Sequence, residues 1–235
     1  MAERMSKFWR AVLLFGKGME KEEKDAAFSQ FLSQLRPFFQ MKGFQFRHSG
    51  DSFRFVKVEG DFTWSFELGV SHHPDSFSIK PAAGIRHEQI ERILHRVSDA
   101  PETVQKGSVT VSWGRALEKR IPKPNSFEVE RMVQTQKAVT FTEHFFTKWV
   151  EQFFRENSDL QAISNSFNTG RAILRAEYFA DWFDLLGRAL IAAKLTKRGD
   201  YDDLKNEYRR AFETRKSSHP LSSFDALIRV LDEVA

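Results

Sequence analysis

Between Phe62 and Val70 the chain alternates without a break. Phe62, Trp64, Phe66, Leu68 and Val70 hold one parity, and Thr63, Ser65, Glu67 and Gly69 hold the other. A two-residue period puts each set on its own face of an extended strand, so this segment predicts a sheet with one apolar and one polar side. Weaker alternation flanks it: Phe44 and Phe46, then Phe53 and Phe55, with turn chemistry at His48-Ser49-Gly50-Asp51 and Glu59-Gly60-Asp61. The apolar parity slips from Phe55 to Val56 and Val58, which predicts a bulge or twist there. Phe77 and Ile79 predict a fourth strand, and Val109, Val111 and Trp113 a fifth.

Elsewhere the aromatics follow a helical period. Phe28, Phe31, Leu32 and Leu35 share one face of a helix near 22–36, which Pro37 is expected to end. Ile90, Ile93, Leu94 and Val97 stripe a helix over 87–98. From Phe141 to Phe154 the phenylalanines cover a wide stripe, so that helix is expected to be touched on more than one side. Thr140 and Glu143 have capping-box spacing. A long helix over Arg171–Lys197 follows Asn168-Thr169-Gly170, with Gly199 in the left-handed turn at its end. Asp200 starts the next helix, and Ser222 with Asp225 caps the last. The expected class is α+β: an antiparallel sheet of four or five strands packed on helices, followed by a helical C-terminal lobe. The expected division is an N-terminal extension (1–18), a sheet domain (19–125) and a helical lobe (126–235), with the Pro-bearing stretch 115–125 between the last two.

The 24 phenylalanines against 3 tyrosines mark interior filling, because a benzyl group carries no polar atom. Cysteine is absent, which excludes disulfides, thiolate nucleophiles and cysteine-bound metal. The net charge of +4 comes without a dense basic stripe, the usual footprint of a nucleic-acid binder. The apolar run Ala11–Phe15 is too short for a signal peptide, and no stretch reaches the length of a spanning helix. A cytoplasmic location is expected.

Few residues invite chemistry. His87, Glu91 and His95 stand four apart, and imidazole plus carboxylate is a zinc-like donor set. At about 100° per residue, however, they project away from the apolar stripe toward solvent, so no metal site is expected. His72-His73 sits in a predicted loop beside Pro74. Glu177, Asp181 and Asp184 lie at i, i+4 and i+7, as a solvated acidic stripe or a docking stripe. Gly16-Lys17-Gly18 lacks the strand and the Lys-Ser/Thr pattern of a phosphate loop, and no serine lies in a nucleophile elbow. The polar sheet face, with Arg47, Arg54, Thr63, Ser65 and Glu67, is the natural recognition surface. No catalytic residue and no cofactor is expected.

Lys42–Arg47, Phe62–Val70, Pro81–Arg86 and the C-terminal Ala192-Ala193-Lys194 with Gly199-Asp200-Tyr201 resemble a loose group of bacterial domains of unknown function. The group includes immunity-like proteins of polymorphic toxin systems. The resemblance spans most of residues 26–210 and has no catalytic residues to carry over. It implies a non-enzymatic protein that binds and inhibits another protein. Two other readings stay open. One is a single-stranded nucleic-acid binder using strand aromatics and basic side chains. The other is a hydrolase or metalloenzyme built on His72, His73, His87 or His95.

Overall fold

The computed structural model describes residues 19–49, 52–98, 100–113, 125–169, 182–214 and 220–234, with only the backbone at Ser49 and Trp182. The described residues fall into two compact units. One lies within Met1–Lys57, Ser65–Ala83 and Leu117–Glu151, the other within Val58–Trp64, Gly84–Ala116 and Gln152–Ala235. The class is α+β: an antiparallel sheet, then helices. The strands are β1 (Gln45–Ser49), β2 (Ser52–Glu59), β3 (Phe62–His72), β4 (Phe77–His87), β5 (Val111–Ser112) and β6 (Phe127–Val129). Their order is β1-β2-β3-β4-β5, and β6 also pairs with β4, opposite Phe77–Ile79. The sheet thus has six strands; β6 is too short to leave a periodic signal in the sequence.

The first unit is built around α1 (Lys21–Met41), which runs through Pro37 rather than ending before it. A proline removes one backbone donor, but the residues beyond it bury apolar surface that offsets the loss. Phe39 is fully buried; its ring stacks on Phe55 at 4.0 Å and on Phe66 at 5.0 Å. The helix ends two residues later in a Schellman motif. Gly43 takes φ +82°, its N–H bonds to Gln40 O, and the Phe44 N–H bonds to Phe39 O. The rings of Phe39 and Phe44, 5.9 Å apart, add the apolar contact of that motif. α1 packs on α4 (Thr135–Phe145), and a π-helical turn at Phe146–Val150 follows. Helix α4 is already running at Thr140, whose hydroxyl bonds back to Gln136 O, so it is no cap.

No bulge interrupts the β1–β2 register; Phe55 and Val56 are both buried, so both faces of β2 are covered there. The second unit holds α2 (Glu88–His95), α3 (Glu102–Gly107), α5 (Glu151–Glu156, all but its first residue), α6 (Leu160–Asn168), α7 (Trp182–Leu195), α8 (Tyr201–Thr214) and α9 (Leu221–Glu233). Beyond the aromatic stripe that ends at Phe154 the chain leaves the helix at 157–159, and Asp159 caps α6 by accepting from the Ala162 N–H. α7 is the hub, packed on α2, α6, α8 and α9. It approaches α2 closely at Gly187, where a Cβ would lie 2.7 Å from Leu94 Cδ1. Its left-handed terminal residue is Lys197 (φ 52°), not Gly199: the Arg198 N–H reaches Ala193 O and closes the turn two residues early. Helix α9 begins after Pro220 without a side-chain cap from Ser222 or Asp225. The expected helix over 171–181 and the linker over 115–124 lie outside the described residues. No helix among the described residues is long and apolar enough to cross a membrane.

Candidate functional site

The polar sheet face forms as its parity implies. β1 is the edge strand, and its register with β2 sets Arg47 directly opposite Arg54. Directly opposed residues share a face, and like charges there repel. Arg54 is compensated: Glu67 on β3 lies 3.2 Å from its Nε as an ion pair and accepts from its Nη2 at 3.4 Å, and Glu67 also accepts from Ser52 Oγ at 3.1 Å. Arg47 is exposed and makes no hydrogen bond or ion pair among the described residues. Ser65, on the same β3 parity as Glu67, is half-buried, as is Thr63 at the strand's start. The apolar parity is spent on packing. Phe66 and Leu68 are fully buried. Phe62 and Trp64 differ from that expectation, being only half-buried even though their rings stack on each other at 5.4 Å. Phe46 lies beneath the Arg36 guanidinium at 4.1 Å.

The second constellation corrects the sequence reading. His87, Glu91 and His95 do not face solvent: Glu91 is fully buried, His87 is 3% exposed and His95 half-buried. Helix α7 supplies the reason. Arg188 grips Glu91 with both arms, Nε to Oε1 at 2.8 Å and Nη2 to Oε2 at 3.0 Å. Thr110 Oγ donates to Oε1 and Ser108 Oγ to Oε2, each at 2.7 Å. Thr110 Oγ in turn accepts from the His87 N–H at 2.9 Å. Burial alone would push the Glu91 pKa up, but the guanidinium and the two hydroxyls overcome it and hold the value at about 2. Both oxygens of this carboxylate are held by Arg188 and by hydroxyls, so it is a fixed anion that orients Arg188.

His87 and His95 are both pushed below the ordinary histidine value, chiefly by burial and against the pull of nearby carboxylates. The His87 ring meets Phe62 edge-on at 4.7 Å, and its Nδ1 has no hydrogen-bond partner among the described residues. Among those residues no three His, Asp or Glu side chains come together as a metal-ligand set. His72 is the last residue of β3, not a loop residue as expected, and His73 opens the β3–β4 turn; both are exposed, and Lys24 Nζ fixes the turn backbone by donating to His73 O and Pro74 O, both at 2.8 Å. Glu177 and Asp181 lie outside the described residues. Asp184 does not stand in a free acidic stripe; it sits 3.4 Å from Arg188 Nη1.

Sequence reasoning missed Arg188, Ser108 and Thr110. The usable signal was a lone arginine in the apolar run Leu185–Ala193, since a charge in such a run requires a buried counter-ion. No family model matches this chain, and no curated protein or solved structure matches it either.

Proposed function

We propose that the protein is a non-enzymatic binding protein that recognises an acidic surface on a partner protein through the polar face of β1 and β2. The observation that carries this reading is the placement of Arg47 opposite Arg54. Folding gains nothing from two arginines at directly opposed positions of a strand pair, and opposed like charges cost stability. Glu67 offsets one of them and leaves Arg47 as an exposed positive charge on a sheet edge. Complementary charge on a partner would offset the second and set the orientation of docking.

Two further facts support a binding role over a catalytic one. The carboxylate with the most organised surroundings, Glu91, is saturated internally. Of the strand aromatics that would stack nucleobases, Phe66 is a core residue, and the half-buried Phe62 and Trp64 stack on each other. The finer form of the proposal is a bacterial cytoplasmic inhibitor of the immunity or antitoxin type, as the sequence resemblance implies.

The test compares wild type with Arg47→Glu in affinity capture from the native host and in co-expression with neighbouring gene products. The expected result is a protein held by wild type, released by added salt and lost from Arg47→Glu. Equal capture by both chains, or a nucleic acid as the retained species, would overturn the reading.

A further inference from the structure

The second unit contains an open depression of about 460 Å³ beside the C-terminal half of α2. It is lined by Arg86, Arg92, Arg96 and His95, with Asp61 and Glu88 as the lining acids. The three cations are not equivalent. Arg86 is consumed internally: Nε and Nη2 hold Glu88 at 2.5 and 3.1 Å, and Nη1 donates to Gln105 O and Ser108 Oγ, both at 2.7 Å. Arg96 reaches Glu233 at 2.9 Å, but both side chains are at least half exposed, so water and a ligand compete readily for that contact. Arg92 is exposed and makes no hydrogen bond or ion pair among the described residues.

Arg92 and Arg96 stand four residues apart, which places them on one side of the helix end and makes them repel. The helix dipole favours cations in a last turn, and that accounts for either arginine alone. It does not account for a concave wall on which the committed acid, Glu88, is already matched by Arg86. What remains is Arg92, with Arg96 held only by its exposed contact to Glu233, against the single carboxylate of Asp61. Beneath the wall the Glu91–Arg188 network is rigid, and through Ser108 it fixes the Arg86 end of the depression. His95 presents an imidazole kept below its ordinary pKa by burial, able to donate or accept a hydrogen bond as a neutral group.

We propose that this depression binds a small ligand through one compact oxyanion, a carboxylate or a phosphate, clamped by Arg92 and Arg96. Planar guanidiniums pair bidentately with either group, and the volume lies in the range of small-molecule sites. Asp61 on the same wall disfavours ligands of high negative charge and favours one that also carries a donor or a cation.

The test is calorimetric titration of the full chain with inorganic phosphate and, separately, with lactate, a monocarboxylate that also carries a hydroxyl donor, at ionic strength held constant by chloride. Saturable binding is expected for at least one of the two, and whichever binds names the oxyanion. Arg92→Gln should weaken it by about tenfold or more, equivalent to about 1.4 kcal/mol. Because Arg92 is exposed and unpaired, that variant should keep the wild-type unfolding curve. Arg47→Glu should bind the anion as wild type does, which separates this site from the partner-binding face. Absence of saturable binding to both anions, or equal affinity in Arg92→Gln, would overturn the proposal.

Discussion

At the scale of single residues, Glu91 and Arg188 form a buried ion pair. Their exposures are 0% and 4%, and each is the other's charge partner inside the second unit. Breaking such a pair leaves an uncompensated buried charge, whereas replacing both members with apolar groups removes the problem altogether. Glu91→Ala should therefore cost about 3–5 kcal/mol in urea unfolding. The double variant Glu91→Leu/Arg188→Met should recover most of that loss. If the two single losses simply added in the double variant, the pair would not be acting as a unit.

At the scale of elements, the close approach of α2 and α7 depends on Gly187. A Cβ there would meet Leu94 Cδ1 at 2.7 Å and Leu227 Cδ2 at 3.4 Å, and Leu94 and Leu227 are both fully buried. Gly187→Val should lower stability by about 1–3 kcal/mol through overpacking. Gly107→Ala, where no atom of the described residues lies within 4 Å of the added carbon, should change it by less than about 0.5 kcal/mol.

The same contrast separates what the sequence showed from what it hid. Strand β3 was legible because a two-residue period over nine positions has one reading. Helix α2 was legible as an element, but its polar side was misassigned: helical projection locates the apolar stripe, not a second buried face made by an arginine 97 residues away. Strand β6 and helix α3 are too short for periodicity to declare them. Pro37 was read as a stop because local propensity favours one; the aromatic packing of Phe39 outweighs it. At the sheet face Arg47, Arg54 and Glu67 were legible by parity, while the pairing of Arg47 with Arg54 required the register.

At the scale of the whole molecule, the titrating groups define a stability profile. Glu91 has its pKa lowered from 4.5 to about 2, and His87 and His95 lie below 6.5. Each binds fewer protons folded than unfolded, so stability rises with pH through these ranges and is lost as pH falls. Tyr201 is shifted the other way, from 10.0 to about 12, chiefly by burial, so its contribution is lost as pH rises above 10. Urea midpoints should thus be highest between about pH 6.5 and 10. They should decline first below 6.5, as the histidines of the unfolded chain protonate, and more steeply below 4.5. A midpoint that rose on acidification below pH 5 would contradict this assignment.

The central claim is that Arg47 carries a charge the fold does not favour. Urea unfolding of Arg47→Glu tests it without any partner. The account predicts a higher midpoint than wild type, worth about 0.2–1 kcal/mol, because an acid opposite Arg54 replaces repulsion with attraction. A lower midpoint would mean that Arg47 stabilises the sheet, and would contradict the claim that its charge is there for recognition.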